Sequence, residues 1–162
     1  MSFYDDLKFG QDAERRLLER HPFLKYADGR KSDLTIEGTK IHVELKADTY
    51  DFYKYGNLIM ERFSKEEKLG GPFSAVKTCR YFVYNFVAND IVYVFNTKQL
   101  VARINKLVKK HNLKLFDRWN PGYTTRYYKV PFKYLTDIVM GMDSLEAEYV
   151  KAAKRKAKRV KK

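Results

Sequence analysis

Residues 32–46 read Ser-Asp-Leu-Thr-Ile-Glu-Gly-Thr-Lys-Ile-His-Val-Glu-Leu-Lys. Apolar and polar side chains alternate on both sides of Gly38-Thr39, which is the period of a half-buried β-strand. Two strands are expected, residues 32–37 and 40–46. Gly38-Thr39 joins them as a two-residue type II′ turn, which prefers glycine first. That turn sets the register: Ile36 faces Ile41, Thr35 faces His42, Leu34 faces Val43, and Asp33 faces Glu44. Leu34, Ile36, Ile41, Val43 and Leu45 then share the core side. Asp33, Thr35, His42, Glu44 and Lys46 share the other.

Facing side chains in such a ladder stand about 4.5–5.5 Å apart at Cβ, so two carboxylates there repel each other. A divalent cation reverses the sign of that term. Mg²⁺ prefers oxygen ligands and accepts one or two carboxylates completed by water and substrate phosphate. Lys46 lies on the same side two residues beyond Glu44. It can orient or deprotonate a water, or neutralise charge that develops on a phosphate. A solvated strand in which Lys46 merely neutralises Glu44 uses the same residue types. The agreement of register, face and facing acids favours chemistry. His42 on the acidic side reads as a half-exposed strand histidine, with metal ligation or general-base work as the alternative.

Working outward, a helix is expected over residues 8–21, stopped by Pro22. Ala13, Leu17 and Leu18 form its apolar stripe, and Glu14 lies on or beside that stripe. A carboxylate there is costly unless it is paired, hydrogen-bonded or metal-bound. Two readings stay open: a site residue, or an edge carboxylate paired with Arg15 or Arg16. Residues 22–31 read as a loop. Residues 58–63 read as a strand, 64–71 as a loop, and 72–79 as a short helix or turn. Residues 81–87 and 91–95 form a second hairpin across Ala88-Asn89-Asp90. Thr97 is expected to cap a helix that runs to His111, and residues 123–130 to form a strand. Asp143 or Ser144 is expected to cap a last helix leading into the tail. Tyr50, Phe52, Tyr53 and Tyr55, interleaved with Lys54, fit either contacts to sugars and bases or a loop packed on the core. The plan is one α/β domain over residues 1–150 with a basic, helical C-terminal tail over residues 151–162.

The bulk numbers limit the function classes. With 162 residues, 44% hydrophobic and 33% charged, the composition is that of a folded soluble domain. No stretch approaches the roughly 18–20 apolar residues that cross a bilayer, and the first ten residues lack a signal core. The expectation is an intracellular, cytoplasmic protein with no membrane partner. The single cysteine, Cys79, excludes an internal disulfide and a Cys-rich zinc site. It reads as a structural cysteine rather than the partner of His21, His42 or His111 in a catalytic pair.

The formal net charge is +13, from 33 Lys and Arg against 20 Asp and Glu. Residues 151–162 hold eight of those 33 cations and no acid. The expected partner is a polyanion, bound through Lys154, Arg155, Lys156, Lys158, Arg159, Lys161 and Lys162 by release of counterions from phosphates. A solvated tail or a localisation signal is the alternative.

Ser32-Asp33, a ten-residue gap and Val43-Glu44-Leu45-Lys46 together resemble the motif of the PD-(D/E)XK nucleases. Ser32 stands where the motif has proline, a position that varies in that family. The resemblance spans roughly residues 5–111, and the order of helix, motif hairpin, further strands and helix is similar to the family's αβββαβ core. It implies a restriction-endonuclease-like fold, a central mixed sheet flanked by helices. It implies that Asp33 and Glu44, with Glu14 and the Leu45 carbonyl, bind Mg²⁺ or Mn²⁺, and that Lys46 serves the attacking water. Glu14 falls where Holliday junction resolvases carry an additional acid. Residues 56–61 (Gly-Asn-Leu-Ile-Met-Glu), 71–75 (Gly-Pro-Phe-Ser-Ala) and 81–84 (Tyr-Phe-Val-Tyr) resemble resolvase-like nucleases of phages. This implies a virus-encoded enzyme acting in the host cell, and adds Glu61 as a candidate; the alternative is an edge glutamate paired with Arg62 or Lys65. The implied activity is Mg²⁺-dependent endonucleolytic hydrolysis of DNA, branched DNA included, by a homodimer. Rival readings are a sequence-specific restriction or homing endonuclease, and a non-catalytic nucleic-acid-binding protein that keeps the fold.

Overall fold

The computed structural model describes residues 3–29 and 32–161. Helix α1 (Phe3–Arg20) is followed by strands β1 (Leu24–Tyr26), β2 (Leu34–Ile36) and β3 (His42–Asp48). Next come a one-turn helix α2 (Phe52–Tyr55), strand β4 (Asn57–Phe63), helix α3 (Gly71–Ala75) and the hairpin β5 (Tyr81–Phe86) and β6 (Ile91–Asn96). Helix α4 (Thr97–His111), strands β7 (Leu115–Asn120) and β8 (Tyr123–Pro131) and helix α5 (Asp143–Val160) complete the chain.

The main sheet has five strands in the order β1-β2-β3-β5-β6. Only the β3–β5 pair is parallel, so the sheet is mixed. A parallel pair needs a crossover, and α2, β4 and α3 lie within it. The Tyr81–Phe86 strand is buried along its whole length, as a strand covered on both faces must be. Val83 joins Leu34, Ile36 and Val43 in one core, closed by Leu17 of α1 and Leu145 of α5. Phe82, Tyr84 and Phe86 point the other way. They meet Phe73 of α3, Leu100 and Ile104 of α4, and Leu58 and Met60 of β4. The protein is thus α/β, a mixed five-stranded sheet flanked by helices. A second, three-stranded antiparallel sheet, β4-β8-β7, covers part of one face. Among the described residues no helix is long and apolar enough to cross a membrane.

The hairpin keeps the expected register, Leu34 to Val43 and Thr35 to His42, but not the expected turn. Ile36 N–H bonds Ile41 O, whereas Ile41 N–H bonds the Thr39 hydroxyl at 3.0 Å. That hydroxyl in turn donates to Ile36 O at 2.7 Å. Thr39 therefore stands in for a ladder bond, and the connection runs through four residues with Gly38 in the left-handed region at φ 77°. The register survives because it depends only on Ile36 meeting Ile41.

Other expectations shift. Helix α1 begins at Phe3 rather than near residue 8, and β1 forms inside the expected loop. Asn96, not Thr97, caps α4, accepting the Gln99 N–H at 3.1 Å. Thr97 is buried within the helix. No side chain caps α5. That helix is continuous from the domain into the basic tail.

Candidate active site

β2 contributes only three residues, so the main sheet stops short beside Leu45. Asp33 lies just before β2 and does not extend the ladder opposite Glu44. Its Oδ2 instead accepts the Leu45 N–H at 2.9 Å. The N–H and C=O of one strand residue project to the same edge, so the Leu45 carbonyl also points toward this gap. Asp33 and Glu44 line a cavity of about 310 Å³ with Gly29, Ser32, Ser74, Ala75 and Thr78.

Glu14 of α1 does not line the cavity but lies near enough to feel the charge of Asp33. Burial raises its carboxyl above the ordinary range, and the charge of Asp33 raises it further. Asp33 is raised by burial and partly held back by the Leu45 N–H. Glu44 is pushed up to about 7, first by burial, then by Asp33, with Glu14 adding to it and a bond from Cys79 opposing it. Three carboxylates thus converge, and none of them takes part in an ion pair among the described residues.

That arrangement fits a hard divalent cation. The donors are oxygens, their charge is negative with no ion pair among the described residues, and one side opens to a cavity. Among the described residues no group of three or more His, Cys, Asp or Glu side chains is placed to hold a metal ion by itself. Mg²⁺ does not require one, because it retains waters and takes substrate oxygens. The thiol of Cys79 approaches Glu44 Oε2 at 3.9 Å. Burial pushes that thiol up to about 11, so near neutral pH it is a thiol and not a thiolate ligand.

Lys46 is half-buried two residues beyond Glu44, beside Tyr84 in the parallel register. Its charge is felt by Glu61. Burial raises the Glu61 carboxyl, while Lys46 and then Arg118 of β7 pull it back down. Glu61 therefore joins Lys46 rather than the three acids. Its carboxylate lies where a Cβ on residue 70 would have to be, 2.2 Å from Oε1, so the glycine there makes room for it.

Two site-adjacent residues escaped the sequence reading. Asp48 continues the alternation Glu44, Lys46, Asp48 and is buried. The hydroxyl of Tyr84 donates to Asp48 Oδ2 and accepts the Ile59 N–H at 3.0 Å. Alternation along β3 was the available signal for Asp48; no local pattern pointed to Tyr84. This bridge clamps the open edge of β4 against the Lys46–Tyr84 pair. His42 Nδ1 lies 2.7 Å from the hydroxyl of Ser32, which lines the same cavity.

The aromatic run after the motif divides. Phe52 packs on Phe86, Tyr93 and Phe132, whereas Tyr50, Tyr53 and Tyr55 are exposed. In the tail, Lys154, Arg155, Lys156, Lys158, Arg159 and Lys161 are exposed. Lys162 lies outside the described residues.

The raised Glu44 gives stability a pH dependence. An unfolded Glu titrates near 4.5, the folded one near 7. Its contribution is complete below 4.5, falls as the pH rises toward 7, and stays lost above it. Allowing for solvent screening, the loss is about 1–2 kcal/mol. Glu44→Gln is expected to be more stable than wild type at pH 8, but not at pH 4, in urea unfolding with EDTA. Equal stabilities at pH 8 would contradict the raised Glu44 carboxyl, to which burial contributes most.

Compared with protein-family models, with curated proteins and with solved structures, the chain matches none, and the chemistry has to be read from these side chains themselves.

Proposed function

We propose that the protein is a Mg²⁺- or Mn²⁺-dependent DNA endonuclease of the PD-(D/E)XK kind. The observation that carries this reading is that Asp33 and Glu44 line one open cavity, with Glu14 near enough to feel the charge of Asp33, no ion pair to any of the three among the described residues, and Lys46 next along the strand. The order of elements supports it: a helix, three antiparallel strands, a crossover, then β5 parallel to β3.

Asp33 and Glu44 would hold the ion, with Glu14 and the Leu45 carbonyl. When bound, the ion supplies Lewis-acid stabilisation of the scissile phosphate and lowers the pKa of water. The chain's own groups do the rest. The Leu45 N–H fixes the Asp33 carboxylate, and the Cys79 thiol donates toward Glu44. The Lys46 ammonium orients the attacking water and offsets charge gathering on the phosphate oxygens. Glu61 balances that ammonium. The exposed cations of α5 supply affinity for the phosphate backbone.

Within this reading we favour a structure-selective enzyme similar to Holliday junction resolvases, acting as a homodimer that presents one centre to each of two strands. A cytoplasmic, virus-encoded setting belongs to the same proposal. Incubation with four-way junction, flapped, nicked and linear DNA, each with Mg²⁺, Mn²⁺ or EDTA, tests it. Cleavage is expected only with a divalent ion and fastest on the junction. Failure to cut any substrate with either ion sinks the nuclease reading. Cutting confined to one sequence in linear duplex points to the restriction or homing alternative.

A further inference from the structure

The β4-β8-β7 sheet turns one face to the core through Leu58, Met60, Tyr128 and Val130. By alternation and register the other face carries Ile59 and Glu61 of β4, Tyr127 and Lys129 of β8, and Phe116 and Arg118 of β7. Gly70 lies against Glu61 at the β4 end of this face, whereas Phe116, Arg118 and Lys129 toward its other end are exposed. Phe116 is 41% exposed and stacks on Tyr127 with ring centroids 5.9 Å apart. The Lys129 ammonium lies 4.4 Å from the Phe116 centroid. Arg126, which is tied to Asp117 and Glu67, belongs to the opposite face. Arg118 and Lys129 appear in no ion pair among the described residues.

The face is continuous with the candidate site. Tyr127 pairs with Phe116 on one side and with Glu61 on the other, a row about 10 Å long across three strands. At its Glu61 end the open edge of β4 meets Tyr84, the register neighbour of Lys46, through the Ile59 N–H. Adjacent aromatic rings flanked by exposed cations match the chemistry of a single nucleic-acid strand, whose bases stack and whose phosphates are anionic. An apolar protein partner would not call for Arg118 and Lys129.

We propose that the outer face of the β4-β8-β7 sheet, through Phe116, Tyr127, Arg118 and Lys129, is a stacking platform for unpaired bases of the DNA strand that leads into the Asp33–Glu44 site. This rests on the nuclease reading and extends it, since a platform for unpaired bases suits substrates with open or branched ends.

The test is fluorescence anisotropy of a dye-labelled oligothymidylate, and of a blunt duplex of equal length, in EDTA so that nothing is cut. Phe116→Ala and Arg118→Ala are each expected to weaken oligothymidylate binding about 5- to 30-fold, with a smaller effect on the duplex. Tyr127→Phe, which keeps the ring, is expected to bind as wild type, and Tyr127→Ala to lose affinity as Phe116→Ala does. Because Tyr127 is half-buried, circular dichroism melting is run on each variant; Phe116 and Arg118 are exposed and stand as independent arms. Binding of Phe116→Ala and Arg118→Ala within twofold of wild type would overturn the platform. A loss equal on duplex and single strand would reduce it to phosphate contact, and preference for oligouridylate would overturn the DNA assignment. Cleavage by Lys46→Ala is measured alongside: normal cutting by that variant sinks the catalytic centre and leaves the platform standing, whereas normal binding by Phe116→Ala does the reverse.

Discussion

Alanine at Lys46 is expected to lower DNA cleavage by about 10²–10⁴-fold, the range for losing a positioned proton-transfer or charge-stabilising group, while DNA affinity stays within about threefold. Lys46 is one cation among 33, so its share of backbone attraction is small. Its share of the chemistry is large because of where β3 holds it. The side chain is half-buried beside Tyr84 and two residues beyond Glu44, where its effect on a reacting phosphate is poorly screened. Lys46→Arg is not expected to restore activity. A planar guanidinium is bulkier and cannot act as the compact, rotatable ammonium the position accommodates. Mn²⁺ binding, followed by calorimetry, is expected to persist in Lys46→Ala and to be lost in Asp33→Ala. That contrast separates the ion's ligands from the group that serves the water. Cleavage by Lys46→Ala above about a tenth of wild type counts against the mechanism.

Ending the chain after Val150 is expected to have the second large effect, on binding rather than on cutting. The removed segment carries eight Lys and Arg and no acid, and beyond Ala152 its described residues are exposed. A helix lying on DNA turns about half its circumference to the phosphates, so about four of these cations neutralise phosphates. The slope of log affinity against log salt should then become shallower by about 3–4. Between 50 and 200 mM salt the full chain should therefore lose roughly 100-fold more affinity than the shortened one. The domain itself should stay folded, because the anchors of α5 lie before the cut. Leu145 is buried in the core and Tyr149 stacks on Phe23. A salt slope unchanged by truncation would return the tail to a solubilising role.

Much of the motif hairpin was legible because its information is local. The sum that pairs Leu34 with Val43 does not depend on turn type, so the register held even though Thr39 rebuilt the turn with its hydroxyl. What local pattern could not show was where the ladder ends. Asp33 is not a cross-strand partner of Glu44, because its carboxylate is drawn to the Leu45 N–H. Strand β1, three residues long, is too short to display a period. Residues 58–63 read as a strand, but the strand they form, β4, pairs with β8 (Tyr123–Pro131), far along the chain. Nothing local announces a second sheet built from such distant pieces. The same limit applies to the two acids placed within apolar surroundings. In the sequence, the cost of a carboxylate on an apolar stripe marked Glu14, and a family resemblance marked Glu61. Only the tertiary structure brings Glu14 beside Asp33 and Glu61 beside Lys46.

Helix α5 passes the motif hairpin at its turn, where Ala152 Cβ lies 3.9 Å from the place a Cβ on residue 38 would take. From that turn to Glu44 is about 15 Å along the strand. Ala152, where the basic arm begins, and the acidic centre thus stand at opposite ends of one hairpin. On a duplex lying along the hairpin, that separation corresponds to about four base pairs at 3.4 Å each. On the nuclease proposal the hairpin would act as a gauge, the arm gripping the backbone a fixed number of steps from the bond to be cut. DNA shorter than that span on the arm's side should be held poorly even when the bond itself fits the centre.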